Sequence, residues 1–250
     1  MTKKSGLGAQ FYVGGYDLSN DTGSVNNLGS PRGVLDVTGM NKEAYERLLS
    51  HKDGIVDWSS WFNPASDQAH EALSALPTAD SLITFAQNDA IGDVAGNLVA
   101  RQINYDGTRT PDAGFSFGVN ALGDLYGMEW GQLLTAGLRT DTGATNGAGL
   151  ESLSGASTAF GLQAYCHLME FTGTSVTIKL QGDDNSGFTS ATDVTDGSFG
   201  ALSTPRTWHR LATANDQTIE RYLRVATTGT FSHAVFVVAV IRNEHAGVTF

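Results

Sequence analysis

Two D-T-G triplets, at 21–23 and 141–143, are the residues whose types and spacing come nearest to catalytic machinery. Each is followed by a small residue, giving "DTGS" and "DTGA". Two such loops brought face to face would let a pair of carboxylates share one proton and activate a water. That geometry needs an apolar strand running directly into each Asp. Here "LSN" precedes Asp21 and "LRT" precedes Asp141, and the second triplet lies in a polar, Gly-rich stretch. Without its structural context the motif is weak. Neither triplet is expected to serve catalysis, and Asp21→Asn and Asp141→Asn are expected to leave folding nearly intact, as surface changes do.

The remaining candidates are weaker still. "HEALS" at 70–74 starts like a zinc-binding helix, but Ser74 stands where the metal needs a second His. "GDDNSGF" at 182–188 clusters oxygen donors suited to calcium, and such Asp/Asn/Gly runs are more often plain turns. Cys166 and His167 are adjacent in an alternating strand, so their side chains point to opposite faces and form no dyad. Neither a phosphate-binding Gly-Lys loop nor a dinucleotide-binding glycine fingerprint is present. No catalytic, cofactor or metal residue is therefore assigned, and the chain is not expected to be an enzyme.

The elements that carry these residues are mostly strands. The 250 residues are 40% apolar and 16% charged, with 30 Gly against 5 Pro, a composition of many strands joined by tight turns. Net charge is −11, and seven acidic residues lie between Asp53 and Ala100 with no Lys or Arg among them. Such a surface repels polyphosphate, which excludes tight DNA binding while letting a duplex slide past. The single cysteine excludes an intrachain disulfide framework and suits folding in a reducing cytoplasm. The N-terminal "MTKKSGLGAQF" has no apolar core to act as a signal peptide. The longest apolar run, "AVFVVAVI" at 234–241, is too short for a membrane helix and reads as a buried strand. No membrane association is expected.

Along the chain, "AQFYVGGYDLS" (9–19) reads as a strand bent at its glycine pair, and "VLDV" (34–37) as another. Asn41 is a fair N-cap for a helix over Lys42–Leu49, with Ala44, Tyr45, Leu48 and Leu49 on one face. "IVDWSSWF" (55–62) is a strand, "SDQAHEALSALP" (66–77) a second short helix stopped by Pro77, and "SLITFAQ" (81–87) a strand. Residues 96–123 read as two long strands of a hairpin. "AFGLQAYCHL", "SVTIKL", "TIERYLRVATT" and "HAVFVVAVIR" are further strands, the last apolar on both faces and therefore central. A Gly/Ser/Thr/Ala run over 139–158 separates a mixed half from a purely β half. The expected organisation is a first domain over 1–145, a linker over 146–158 and a C-terminal β-sandwich over 159–250.

The order of "GYDLSNDTGSV", the helix after "DVTG", "DG" before an aromatic strand, the 96–123 hairpin and "YGMEWGQLLTAG" resembles the tail tube (major tail) proteins of bacteriophages with long, flexible tails. The resemblance covers roughly residues 8–138. It implies a mainly β fold, a tail-tube-type β-sandwich or half-barrel with a flanking helix, assembled as homo-oligomeric, hexameric rings. The rings would stack into a virion tail tube, assembled in the host cytoplasm and joined to other tail proteins at its ends. DNA would leave through an acidic lumen without specific binding. The hairpin at 96–121 is expected to supply the strand edges that close the inter-subunit barrel. Residues 159–250 would be an outer jelly-roll or Ig-like decoration able to bind a host-surface glycan. A carbohydrate-binding β-sandwich protein is the second reading, and a bilobal aspartic hydrolase a distant third.

Overall fold

The computed structural model describes residues 5–246. Among these there are seventeen strands and one short α-helix, so the protein is mainly β. In chain order they are β1 (Gln10–Val13), β2 (Tyr16–Asp17), β3 (Thr22–Gly29), β4 (Arg32–Asp36), β5 (Arg47–Lys52) and β6 (Ile55–Trp61). Helix α1 (Ala69–Ser74), β7 (Ser81–Ala86), β8 (Val94–Gln102), β9 (Asp106–Arg109), β10 (Phe115–Gly123) and β11 (Glu129–Leu133) follow. The chain continues with β12 (Arg139–Asp141), β13 (Asn146–Glu151), β14 (Leu162–Asp183), β15 (Thr192–Leu202), β16 (Thr207–Ala212) and β17 (Tyr222–Arg242). The chain divides into two units. One holds the residues through Asn20, Leu82–Asn97 and those from Trp130 onward; the other holds Asp21–Ser81 and Leu98–Glu129.

The first unit is built on β14 and β17. These strands, 22 and 21 residues long, pair antiparallel from Leu162↔Arg242 to Asp183↔Tyr222. Strands β15 and β16 pair with the other edge of β14, and β11, β12 and β13 pair with β17. Side chains two apart share a face. Leu162, Ala164, Cys166, Leu168, Val176, Ile178 and Leu180 therefore line one face of β14, against Val225, Phe236, Val238 and Val240 of β17. The sequence divides this pair into four strands, and the structure joins them into two. The joins lie at register shifts on either side of Gly173, whose φ is 155° and whose partner is Phe231; Gly229, with φ 119°, stands two residues along β17, opposite Val176. A Cβ on Gly229 would lie 2.4 Å from the Ser175 carbonyl oxygen, so the two long strands bend where only glycine fits. Strand β17 is central, as its two-faced apolarity predicts.

The glycine pair, expected to bend a single strand, reverses it instead. Gly14 and Gly15, both at positive φ, turn β1 back into β2.

The Gly-rich segment expected to be a linker is not one. Asn146–Glu151 forms β13 and pairs with β17, inside the first unit. Its glycines make room for neighbours: a Cβ on Gly147 would lie 2.2 Å from an Arg139 guanidinium nitrogen, and one on Gly149 would lie 2.3 Å from the Phe188 ring. The two units also interleave along the chain instead of following 1–145 and 159–250.

In the second unit β3, β6 and β10 pair in that order. On its other side β10 pairs with β9 and with the end of β8. Both edges of β10 are thus occupied, and within 96–121 it is β9 that pairs on one side only. Val56 and Trp58 of β6, Leu73 of α1, Leu98 of β8 and Val119 of β10 are all buried, and Trp58 stands opposite Val119. The helix expected over 66–77 exists as α1, shorter at both ends.

The helix expected over Lys42–Leu49 does not form. Strands β4 and β5 make a separate two-stranded sheet instead, with Val34↔Leu49, Leu35↔Leu48 and Asp36↔Arg47 in register. An eight-residue helix gains little from propensity alone, because nucleation is costly. Pairing gives Leu48 and Leu49 apolar cross-strand partners that a helix here would lack. The strand ends are pinned by Val37 N–H to Glu46 O (2.9 Å) and Glu46 N–H to Thr38 Oγ1 (2.9 Å). The Lys42–Glu46 pair, four residues apart as on a helix, survives as an ion pair at 3.1 Å across the turn.

Candidate functional site

Each aspartate of the D-T-G triplets is committed to a structural network. Asp21, at the start of the second unit, is 6% exposed. Its carboxylate accepts Asn63 Nδ2–H and the Ala69 backbone N–H, both at 2.9 Å, so it caps the free amides at the start of α1. Asp141, in the first unit, is 4% exposed. It takes a two-pronged contact from Arg139 (2.9 and 2.8 Å) and the hydroxyl proton of Thr227 (2.7 Å). Because these carboxylates are buried and hydrogen-bonded, the expectation that Asn substitution leaves folding nearly intact is corrected. Their replacement removes caps and pairs that the interior relies on.

The other candidates are also engaged locally. His70 lies on α1, with Nδ1 3.2 Å from the Tyr105 hydroxyl, inside an aromatic cluster with Phe62 and Phe117. Its neighbour Glu71 accepts the Asp67 amide (3.0 Å). In the 182–188 loop, Asp183 accepts the amides of Asn185 (3.0 Å) and Ser190 (2.8 Å). Burial pushes this carboxyl up, and the hydrogen bonds outweigh it, holding the group below the usual carboxylate range. The donors thus close a turn. Among the described residues no cluster of three or more His, Cys, Asp or Glu is disposed to hold a metal. No helix among them is long and apolar enough to cross a membrane.

Cys166 and His167 face opposite sides of β14. Cys166 belongs to the main core, where burial raises its thiol. His167 is buried on the other face. Its Nδ1 accepts the Gly15 N–H (3.2 Å), and its Nε2–H reaches Thr84 Oγ1 (2.9 Å), which in turn donates to Asn97 Oδ1 (2.9 Å). That chain of donors fixes the neutral Nε2–H tautomer. Burial lowers the His167 pKa to about 3.

The residues that stand out were missed by a search for chemistry. Every residue of β4 and β5 is exposed, including Leu35 at 58% and Leu49 at 67%. Val34, Leu48, Met40 and Tyr45 are also exposed large apolar side chains, with Arg47 lying 4.8 Å over the Tyr45 ring. A two-stranded hairpin is marginally stable by itself in water. Val34 and Leu49 lie on one face of the hairpin and Leu35 and Leu48 on the other, so both faces are apolar and uncovered, as at an interaction site. Residues 32–52 carry four basic side chains (Arg32, Lys42, Arg47, Lys52) and three acidic ones (Asp36, Glu43, Glu46), a local excess of positive charge on a chain of net charge −11. The second unit has a further exposed aromatic surface at Trp61, Phe62 and Phe115. Phe62 and Phe115 lie 4.9 Å apart in the cluster that also contains the stacked Tyr105–Phe117 pair (3.9 Å).

No family model and no curated relative matches the chain. Among solved structures, it is similar to the Dit (gp 19.1) protein of phage SPP1, described as a paradigm of the hub adsorption apparatus in phages that infect Gram-positive hosts. The two share 12% identity with a TM-score of 0.31, over 94% of this chain and 99% of that one. A superposition this loose carries no conclusion about the fold or role of this protein.

Proposed function

We propose that this is a self-assembling structural protein of a phage tail, with no catalytic role, in which the β4–β5 hairpin of each copy packs against the next. The single observation that carries the reading is that hairpin: a paired, apolar, wholly exposed arm that gains a covered face only from a partner. The sequence resemblance to tail tube proteins supplies the kind of assembly, hexameric rings that stack along a conduit for DNA. Charge supports a second copy as the partner. The arm is mildly basic, while Asp53, Asp57, Asp67, Glu71 and Asp80 of the second unit lie in a stretch with no Lys or Arg. A contact from one patch to a different patch is head-to-tail, and repeated around an axis it closes a ring. In the virion the acidic character of the chain would keep DNA from adhering to the bore.

Negative-stain microscopy and light scattering of the purified chain test this. Rings or stacked tubes support it. A monomer at every concentration up to the solubility limit contradicts it.

A further inference from the structure

Away from the arm, the first unit holds a cleft of about 390 Å³ between β8, β11, β13 and β17. That is the size of a small-ligand site. Its wall is Trp130, 49% exposed in a strand whose other apolar positions are covered. The ring lies against Gly96, where an added Cβ would sit 3.0 Å from it, so one face is backed by backbone. Leu150 and Leu153 continue the apolar wall, Leu153 at the rim with 81% exposure.

The polar groups in the cleft are held in place. Gln132, two residues from Trp130 and so on the same face of β11, donates Nε2–H to the Gly92 carbonyl (2.9 Å), which fixes its amide. Arg221 pairs with Glu151 through Oε1, leaving Oε2 outside that contact. Arg242 donates to the Arg221 carbonyl (2.9 Å), while its buried Nε–H has no partner. Burial lowers the Arg242 guanidinium to about 10, and Glu244 and Glu220 offset part of that shift. Glu151 is thus tied to Arg221, which stands outside the lining, and Arg242 is the guanidinium that faces the cleft beside Glu151 and Glu244. With two carboxylates and one guanidinium in its lining, the cleft disfavours an anion, and it has both donors and acceptors beside an aromatic face.

We infer that the Trp130 cleft binds a neutral sugar, a hexose or the end of a short glycan. A pyranose has an apolar C–H face that can lie on the indole and a rim of hydroxyls that both donate and accept. The planar groups of Gln132, Glu151 and Arg242 match vicinal hydroxyls, and the excess of carboxylates disfavours acidic sugars. The inference is independent of the tail reading, because it uses neither the arm nor assembly.

The test is saturation-transfer NMR with tryptophan fluorescence on the full chain, using galactose, glucose, mannose, N-acetylglucosamine and lactose as probes. At least one probe is expected to saturate with a Kd on the order of 1–10 mM, as a single stacked ring with few hydrogen bonds gives. Trp130→Ala is expected to weaken that binding at least about tenfold and Trp130→Phe far less, since the aromatic face is kept. Leu153→Glu, a change at an exposed rim position, is expected to block the cleft in a fully folded protein. Absence of saturable binding of any probe up to about 100 mM overturns the inference. Binding unchanged in both Trp130→Ala and Leu153→Glu overturns it equally.

Discussion

The β14–β17 pair and the β4–β5 pair are the same kind of object with opposite surroundings. Both are antiparallel, and both carry β-branched and leucine side chains at cross-strand positions. Val176, Ile178 and Val225 are wholly covered, whereas Val34, Leu35, Leu48 and Leu49 stand in solvent. At about 25 cal/mol per Å² of apolar area removed from water, the first pair anchors the fold and the second contributes little until something covers it. Apolar character by itself therefore does not distinguish a core strand from an interface strand. What distinguishes them is whether the rest of the chain supplies a second layer.

The largest effect that separates the two regions is truncation. Phe236→Ala in β17 removes a fully buried ring and is expected to cost about 3–5 kcal/mol in urea unfolding of the unassembled protein. Asp141→Ala is expected to fall in the same range of about 3–5 kcal/mol, because it strands the largely buried Arg139. A loss under about 1 kcal/mol for both would mean that the long pair is not the stabilising centre.

A middle-sized effect comes from His167, which sits on the far face of β14. In the unfolded chain it takes up a proton near pH 6.5, whereas burial holds the folded group to about 3. Below pH 6.5 the unfolded state therefore binds more protons, and stability falls as pH drops toward 3. Between pH 7 and pH 5 the expected loss is about 2 kcal/mol. The half-buried His209, also lowered by burial, adds in the same direction. Urea midpoints at the two pH values check this, with His167→Gln expected to remove most of the difference. An unchanged pH dependence in that variant would show that His167 does not carry it.

The smallest effect sharpens the contrast most. Leu35→Ala and Leu48→Ala in the arm are expected to shift monomer stability by no more than about 0.5 kcal/mol, since neither side chain is covered. A cost above about 2 kcal/mol for either would place the arm's apolar face within the monomer's own core.

Much of this was legible in the sequence, and the failures have physical causes. Period-two alternation located the two halves of β14, because burial of one face forces that pattern, and apolarity on both faces marked the end of β17 as central. Alternation could not join "AFGLQAYCHL" to "SVTIKL", since Gly173 looks like a break and is in fact a bend within a continuous strand. The helix over Lys42–Leu49 failed because Ala44, Tyr45, Leu48 and Leu49 fit a helical face, while the pairing with Val34 and Leu35 is a nonlocal term that no window sees. The Gly-rich run at 146–158 looked flexible, yet Gly147 and Gly149 are small so that Arg139 and Phe188 can approach. The burial of Asp21 and Asp141 was not legible, because their partners Ala69, Asn63 and Thr227 are all distant in sequence. The Trp130 cleft gathers four strands and left no local signal beyond an aromatic residue beside a glycine.

The central claim is that the arm joins copies of this chain. Sedimentation velocity of wild type against the Leu35→Glu/Leu48→Glu double variant at equal concentration tests it most directly. The account predicts ring-sized or larger particles for wild type, and a monomer with an unchanged urea midpoint for the variant. A variant that assembles as wild type does would contradict it.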